Sequence, residues 1–189
     1  WDPYCSLSGW FGVTSLSIGQ CGFGFAPTRP EDRELSMAMM NRVEAIPLES
    51  MRLGIRWDWE TFPEYLDSLD SQGLGVNVAA LFPFAALRGY VLGMREARER
   101  TWVTDEELNQ MKQLFRDGMA AGAYGFASSM NTSDRAEDGG WLPGHKASDA
   151  EYLALADVLG TFGIGHIGWT IGRPGGLPPE RSPKNQRHL

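Results

Sequence analysis

Residues 12–27, GVTSLSIGQCGFGFAP, decide the fold class. The first half is short, apolar and β-branched, with a glycine at each end, and it reads as a strand buried in a sheet. The second half is a glycine-rich loop holding a cysteine and closed by Pro27 and Pro30. A helix follows at once over 30–46, PEDRELSMAMMNRVEAI. Pro30 suits its first turn, and Glu31, Asp32 and Glu34 suit its positive end. Met37, Met40 and Val43 mark its faces, and Pro47 ends it. Strand, loop and helix form the repeating unit of a parallel sheet.

The same unit recurs along the chain. WDWETFPEYLDSLDSQG, 57–73, predicts a second helix, with Thr61 and Glu64 at capping-box spacing and Pro63 in the first turn. Tyr65, Leu66 and Leu69 form its apolar stripe. VNVAALFP, 76–83, reads as a strand, and 85–94 as a short helix. TDEELNQMKQLFRDGMAAG, 104–122, is the clearest helix. It has a Thr104–Glu107 box, one face of Leu108, Met111, Leu114 and Phe115, and a stop at Gly122. A third strand covers 123–129, a helix capped by Ser148 with Glu151 covers 148–163, and a fourth strand covers 165–172. A polar loop with Gly139, Gly140, Pro143 and Gly144 lies between.

Short strands alternating with helices predict an α/β fold with a parallel sheet. Two forms fit: an open doubly wound sheet, or about four βα units of a (β/α)8 TIM-like barrel, which typically needs about 250 residues. Either form places ligands on the loops that follow the strands. Residues 19–27, 83–88, 128–140 and 172–176 would then share one rim. The chain divides into a domain over 1–172 and a polar, Pro/Gly-rich tail over 173–189.

The length of 189 residues allows one domain with a sizeable core. A formal net charge of −7 argues against nucleic acid or an anionic membrane as partner, since both reward clustered Lys and Arg. No apolar run approaches the roughly 20 residues that span a bilayer. The chain opens on Trp1 and reads at both ends like the middle of a domain, so an internal piece of a longer protein is expected. Two cysteines, Cys5 and Cys21, make no disulfide framework, and reduced thiols in a cytoplasmic protein are expected.

Residue chemistry alone leaves the candidate site open. The glycines at 19, 22 and 24 do not make a dinucleotide loop, because Pro27 stands where the third glycine belongs and no helix opens there. Cys21 as a nucleophile wants a histidine, and His145, His166 and His188 carry no local catalytic pattern. Cys21 as a zinc ligand is chemically sound, but no H-x-H or C-x-x-C pair accompanies it. On spacing alone a buried, inert thiol is the simpler reading. His166 reads as a core or rim histidine, and Asp58 and Glu60 read as capping or solvated acids. Arg88 could bind a substrate carboxylate bidentately, or lie exposed on its helix. Trp10, Trp57 and Trp59 read as packing residues.

Taken together, the motifs resemble a family. GVTSLSIGQCGFGFAPTRPEDRE, 12–34, resembles the segment GVTxxxxGxCGxGxAPxRPxxRE of the N-acyl-D-amino-acid deacylase branch of the amidohydrolase superfamily. WDWETFPEYLDSL, VNVAALFPFAALRGYVLG, TDEELNQMKQLFRDGMAAGAYGFASS and EYLALADVLG follow in the same order. The resemblance covers roughly 1–172. It implies a partial TIM-like barrel and a zinc-dependent hydrolase of non-peptide C–N bonds. The substrate would be a small N-acylated amino acid or related amide. It also implies that Cys21 is a metal ligand at the barrel rim.

The family's H-x-H pair, later histidines and catalytic aspartate have no counterpart in this chain, and Phe11 and Phe84 stand where the family often has histidine. The alternative is therefore a non-catalytic scaffold of the same descent. The 189-residue chain alone is expected to be inactive and poorly stable, with an oligomer closing the sheet as a way out.

Overall fold

The structure is a computed structural model, and it describes residues 2–170. The boundary at 172, the tail and His188 lie outside the described residues. In chain order the elements are α1 (Ser6–Trp10), β1 (Ser15–Ile18), α2 (Arg33–Glu44), α3 (Leu48–Gly54), α4 (Phe62–Ser71), β2 (Asn77–Ala80) and β3 (Phe82–Pro83). They continue with α5 (Phe84–Leu92), α6 (Met94–Glu99), α7 (Asp105–Ala121), β4 (Gly125–Ser129), α8 (Pro143–Lys146), α9 (Asp149–Phe162) and β5 (His166–Thr170). Single 3-10 turns occupy Gln20–Gly22 and Pro30–Asp32.

Every strand pairing is parallel. β1 pairs with β2 from Ser15↔Asn77 to Ile18↔Ala80. β4 lies between β3 and β5. Leu81 interrupts what is otherwise one strand over 77–83, and its N–H still donates to Ile18 O at 2.9 Å. Tyr124 N–H donates to Ala80 O at 2.8 Å, which carries the ladder on to β4. The strands therefore stand side by side in chain order. Among the described residues that order lacks the reversal on which a doubly wound sheet depends.

Three of the helix starts form as their sequences require. Glu64 N–H donates to Thr61 Oγ1 while Thr61 N–H donates to Glu64 Oε2 at 2.8 Å. Glu107 and Thr104 repeat the exchange. Ser148 N–H and Oγ both donate to Glu151 Oε1. Backbone amides of Thr61 and Glu60 hold the Glu64 carboxyl below its ordinary range.

The core is an aromatic column between the helices and the sheet. Phe62 of α4 stacks on Phe82 at 4.3 Å, Phe82 meets Phe115 edge-on at 5.6 Å, and Phe115 meets Phe126 edge-on at 5.5 Å. Gly118 lets α7 come this close, because a Cβ there would stand 2.5 Å from the Phe82 ring. A second aromatic run, Phe25–Trp57–Trp59–Tyr65, holds the loop after β1 against α4, with Trp59 Nε1 donating to Phe25 O at 2.8 Å.

Several expectations need correction. β1 is half-exposed rather than buried, because among the described residues it pairs on one edge only. β5 is in the same position, and Ile167 and Trp169 are exposed on it. Trp10 is 81% exposed and is not a packing residue among the described residues. The stretch 57–73 gives its helix over Phe62–Ser71, starting from the Thr61 cap that its sequence marks, and Trp57 ahead of it takes a positive φ of 53°. Helices α1, α3, α6 and α8 fall in stretches where none was expected. No helix of the described residues is long and apolar enough to cross a membrane.

Candidate functional site: a strand-end cysteine and a buried arginine

β1 runs into the tight turn Gln20–Gly22. Gly19 and Gly22 have φ of 85° and 71°, and Cys21 itself sits at φ 62°, in the left-handed region that side chains avoid. The reason is proximity. A Cβ on Gly22 would stand 2.2 Å from Ala127 O and 2.7 Å from Ser128 Cα, so the turn lies directly on β4. Cys21 Sγ lies 2.9 Å from Thr170 Oγ1 at the end of β5.

A flat sheet would separate β1 from β5 by three strand spacings, about 14 Å. Cys21 follows the end of β1 by only three residues, yet its sulfur meets Thr170 and the next residue, Gly22, rests on β4. The sheet therefore curls, and the turn sits inside the curl with Cys21 at the carboxyl ends of the strands. Leu81 and Gly168 show the same convergence. A Cβ on Gly168 would lie 3.3 Å from Leu81 Cδ1, although β4 runs between their strands.

Gly22→Ala tests this placement. The left-handed residue costs about 1–2 kcal/mol and the overpacked contact about 1–3 kcal/mol, so a loss of roughly 2–5 kcal/mol is expected in urea unfolding. A loss below about 0.5 kcal/mol, the size of an ordinary surface change, would contradict a turn pressed on β4.

Cys5 and Cys21 are both free thiols. Among the described residues no group of three or more His, Cys, Asp and Glu side chains could hold a metal ion. A zinc site takes three or four protein ligands. The described residues thus offer Cys21 as a single sulfur ligand with a hydroxyl beside it, which does not fit a complete zinc site.

Arg88 lies elsewhere, in a separate hydrogen-bond network. It is fully buried on α5, and Glu151 beside it is equally buried. Its Nε donates to Glu151 Oε2 at 2.7 Å, and Nη2 donates to Arg100 O at 2.8 Å. Nη1 donates to Ala97 O and to Pro143 O. The carboxylate that this guanidinium holds belongs to its own chain. It presents no donor at the surface to a substrate, and it is not an exposed helix arginine.

The remaining candidates are structural in position. His145 is buried, takes Leu142 N–H on Nδ1 at 3.3 Å and pairs Nε2 with Asn131 O at 3.0 Å. His166 is exposed at the start of β5, the opposite end of the sheet from Cys21. Asp58 accepts from Ser68 Oγ and Glu60 from Tyr90 OH, each at 2.8 Å. Phe84 is fully buried and stacks on Tyr152 at 4.2 Å, whereas Phe11 is 82% exposed.

Reading the residues alone does not find Thr170 as the neighbour of Cys21 or Glu151 as the partner of Arg88. Glu151 does carry a local signal, its spacing from Ser148. That signal speaks for one carboxylate oxygen only.

No family model matches the chain. An uncharacterized protein of Mycobacterium tuberculosis (strain ATCC 25618 / H37Rv) is 31% identical over 165 residues, 84% of this chain and 26% of the relative. D-aminoacylase of Alcaligenes xylosoxydans xylosoxydans is 31% identical over 117 residues, 62% of this chain and 21% of the relative. In structure, the N-acyl-D-glutamate deacylase from Bordetella bronchiseptica, complexed with zinc and a phosphonate inhibitor, matches with a TM-score of 0.60 at 26% identity. That match covers 85% of this chain and 29% of the other.

The chain is thus similar in its parallel α/β fold to solved D-aminoacylase and N-acyl-D-glutamate deacylase structures, and in sequence to proteins of the same two names. The chain spans about a quarter of the length of the curated relatives it matches, 26% in the mycobacterial case.

Proposed function

We propose that this chain is part of a zinc-dependent amidohydrolase that releases the acyl group from N-acyl-D-amino acids. Its curled sheet is an arc of a (β/α)8 barrel, and Cys21 is one metal ligand at the barrel mouth. The observation that carries the reading is the position of Cys21: a part-exposed thiol on the inner side of a curled parallel sheet, at the carboxyl ends of its strands. Ligand sites of such sheets form at that end. Strands in chain order and the two D-amino-acid deacylase relatives support it.

When bound, zinc polarises a carbonyl and lowers the pKa of water. The residues of this chain have narrower tasks. The Gly19–Gly22 turn aims the sulfur inward, and Thr170 Oγ1 stands within hydrogen-bond reach to orient it. Pressed on β4, the turn has little freedom to move away.

The test uses the protein in its longest reading frame, with N-acyl-D-glutamate and other N-acyl-D-amino acids as substrates. Release of free amine is expected, with metal measured by mass spectrometry. Cys21→Ser is expected to weaken zinc binding at least tenfold, since even partners outside the ligand set are worth about 10–100-fold. Undiminished zinc loading of that variant, or no amine released by the parent, would overturn the reading.

A second reading is a scaffold of the same descent without a working metal site. It requires a parent with no stoichiometric zinc.

A further inference from the structure

We infer that the Arg88–Glu151 pair is a positioning latch. It holds residues 94–104 and 141–151 in fixed register with α5, and its contribution is placement of these segments rather than net stability. One guanidinium reaches all of them. Two of its acceptors, Ala97 O within α6 and Arg100 O just past it, are carbonyls of the last turn, which a helix leaves without partners. Pro143 O, at 3.4 Å, belongs to the first residue of α8. Glu151 then takes Arg88 Nε on one oxygen, and Ser148 N–H and Oγ on the other, at the start of α9.

Each charge also sits at the helix end that suits it: the cation at the carboxyl end of α6, the anion in the first turn of α9. This explains how a pair with no exposed surface is tolerated. Its lone pairs and protons are used, and its net charge is zero. A buried ion pair contributes little more to stability than an apolar pair of equal volume. An apolar pair cannot bond three carbonyls from two segments.

The latch extends outward through Arg98 of α6. Its Nη1 pairs with Glu137 at 2.9 Å, its Nη2 with Asp138 at 2.5 Å, and its Nε donates to Trp141 O. Residues 137–141 thus follow α6. All these segments belong to the connections after β3 and β4, which leave the sheet at the end that carries Cys21. The functional weight of the latch rests on the reading that this end carries the site. Its mechanical claim does not, so the test below is independent of zinc and of hydrolysis.

The test is hydrogen exchange on the 189-residue chain, comparing wild type with the double variant Arg88→Met, Glu151→Leu. The melting midpoint is expected to move by less than about 5 °C, a change of order 1–2 kcal/mol for a chain of this size. Amides of residues 97, 100, 145, 147 and 151 are expected to exchange at least tenfold faster, while those of α7 between 111 and 119 are unchanged. Unchanged protection at the five positions overturns the latch. So does an equal loss in α7, which would make the pair a support of the whole core. Glu151→Gln keeps the side-chain length and carries the same local readout if the double variant does not fold. A chain that folds with neither variant also overturns the placement claim.

Discussion

Arg88→Ala alone is expected to destabilise the fold by about 3–5 kcal/mol, the cost of leaving one member of a buried ion pair without its partner. The substitution strands the Glu151 carboxylate in a site without exposed surface, and it removes the donors of Ala97 O, Arg100 O and Pro143 O. Glu151→Ala is expected to cost a similar amount, because it leaves the guanidinium uncompensated and also frees Ser148 N–H. Urea unfolding measures both. Arg88→Ala with Glu151→Ala should cost clearly less than the sum of the single changes, since one loss already contains much of the other. Additive losses would mean that the two side chains do not act together. A single-variant loss below about 1 kcal/mol, typical of an exposed pair, would mean that Arg88 reaches water.

Phe115→Ala is expected to cost about 3–5 kcal/mol, the range for truncating a fully buried phenylalanine. Phe115 is the hinge of the aromatic column. It meets Phe82 on one side and Phe126 on the other, so its removal breaks two edge-on ring contacts and opens a cavity between α7 and the sheet. The neighbours cannot close that gap cheaply. Phe62 is already stacked on Phe82, and Met111 and Met119 are already buried. Phe115→Leu keeps most of the volume but loses both ring contacts, and is expected to cost about 1–3 kcal/mol, less than Phe115→Ala. Leu53, 89% exposed on α3, is the control, and Leu53→Ala should stay within about 0.5 kcal/mol. Equal losses at Phe115 and Leu53 would contradict the column as the core.

Features set by neighbours in the chain are the ones that reading the residues recovers. The Thr61–Glu64, Thr104–Glu107 and Ser148–Glu151 starts depend on contacts three residues apart, and all form. The strands are short β-branched or apolar runs, and all four are found, with Leu81 breaking the second. Helices α3, α6 and α8 are too short for an apolar period to show. α6 in particular owes its carboxyl end to Arg88, six residues before it begins.

The site divides along the same line. The placement of Cys21 at a strand end is legible from its glycines. Its left-handed conformation and its contact with Thr170 depend on how far the sheet curls, which is a property of β4 and β5. Arg88 was readable as a carboxylate binder. That the carboxylate is Glu151, sixty-three residues on, was not.

The side-by-side order of the strands has a consequence for how the chain acquires its shape. When each new strand pairs with the one made just before it, no strand must wait for a distant partner. Paired residues lie 62 positions apart between β1 and β2, 44 between β3 and β4, and 41 between β4 and β5. Synthesis delivers residues at about 5–20 per second, while a hairpin or helix closes in microseconds. Each unit can therefore dock on its predecessor as it emerges, and the growing edge always faces the part of the chain still to come.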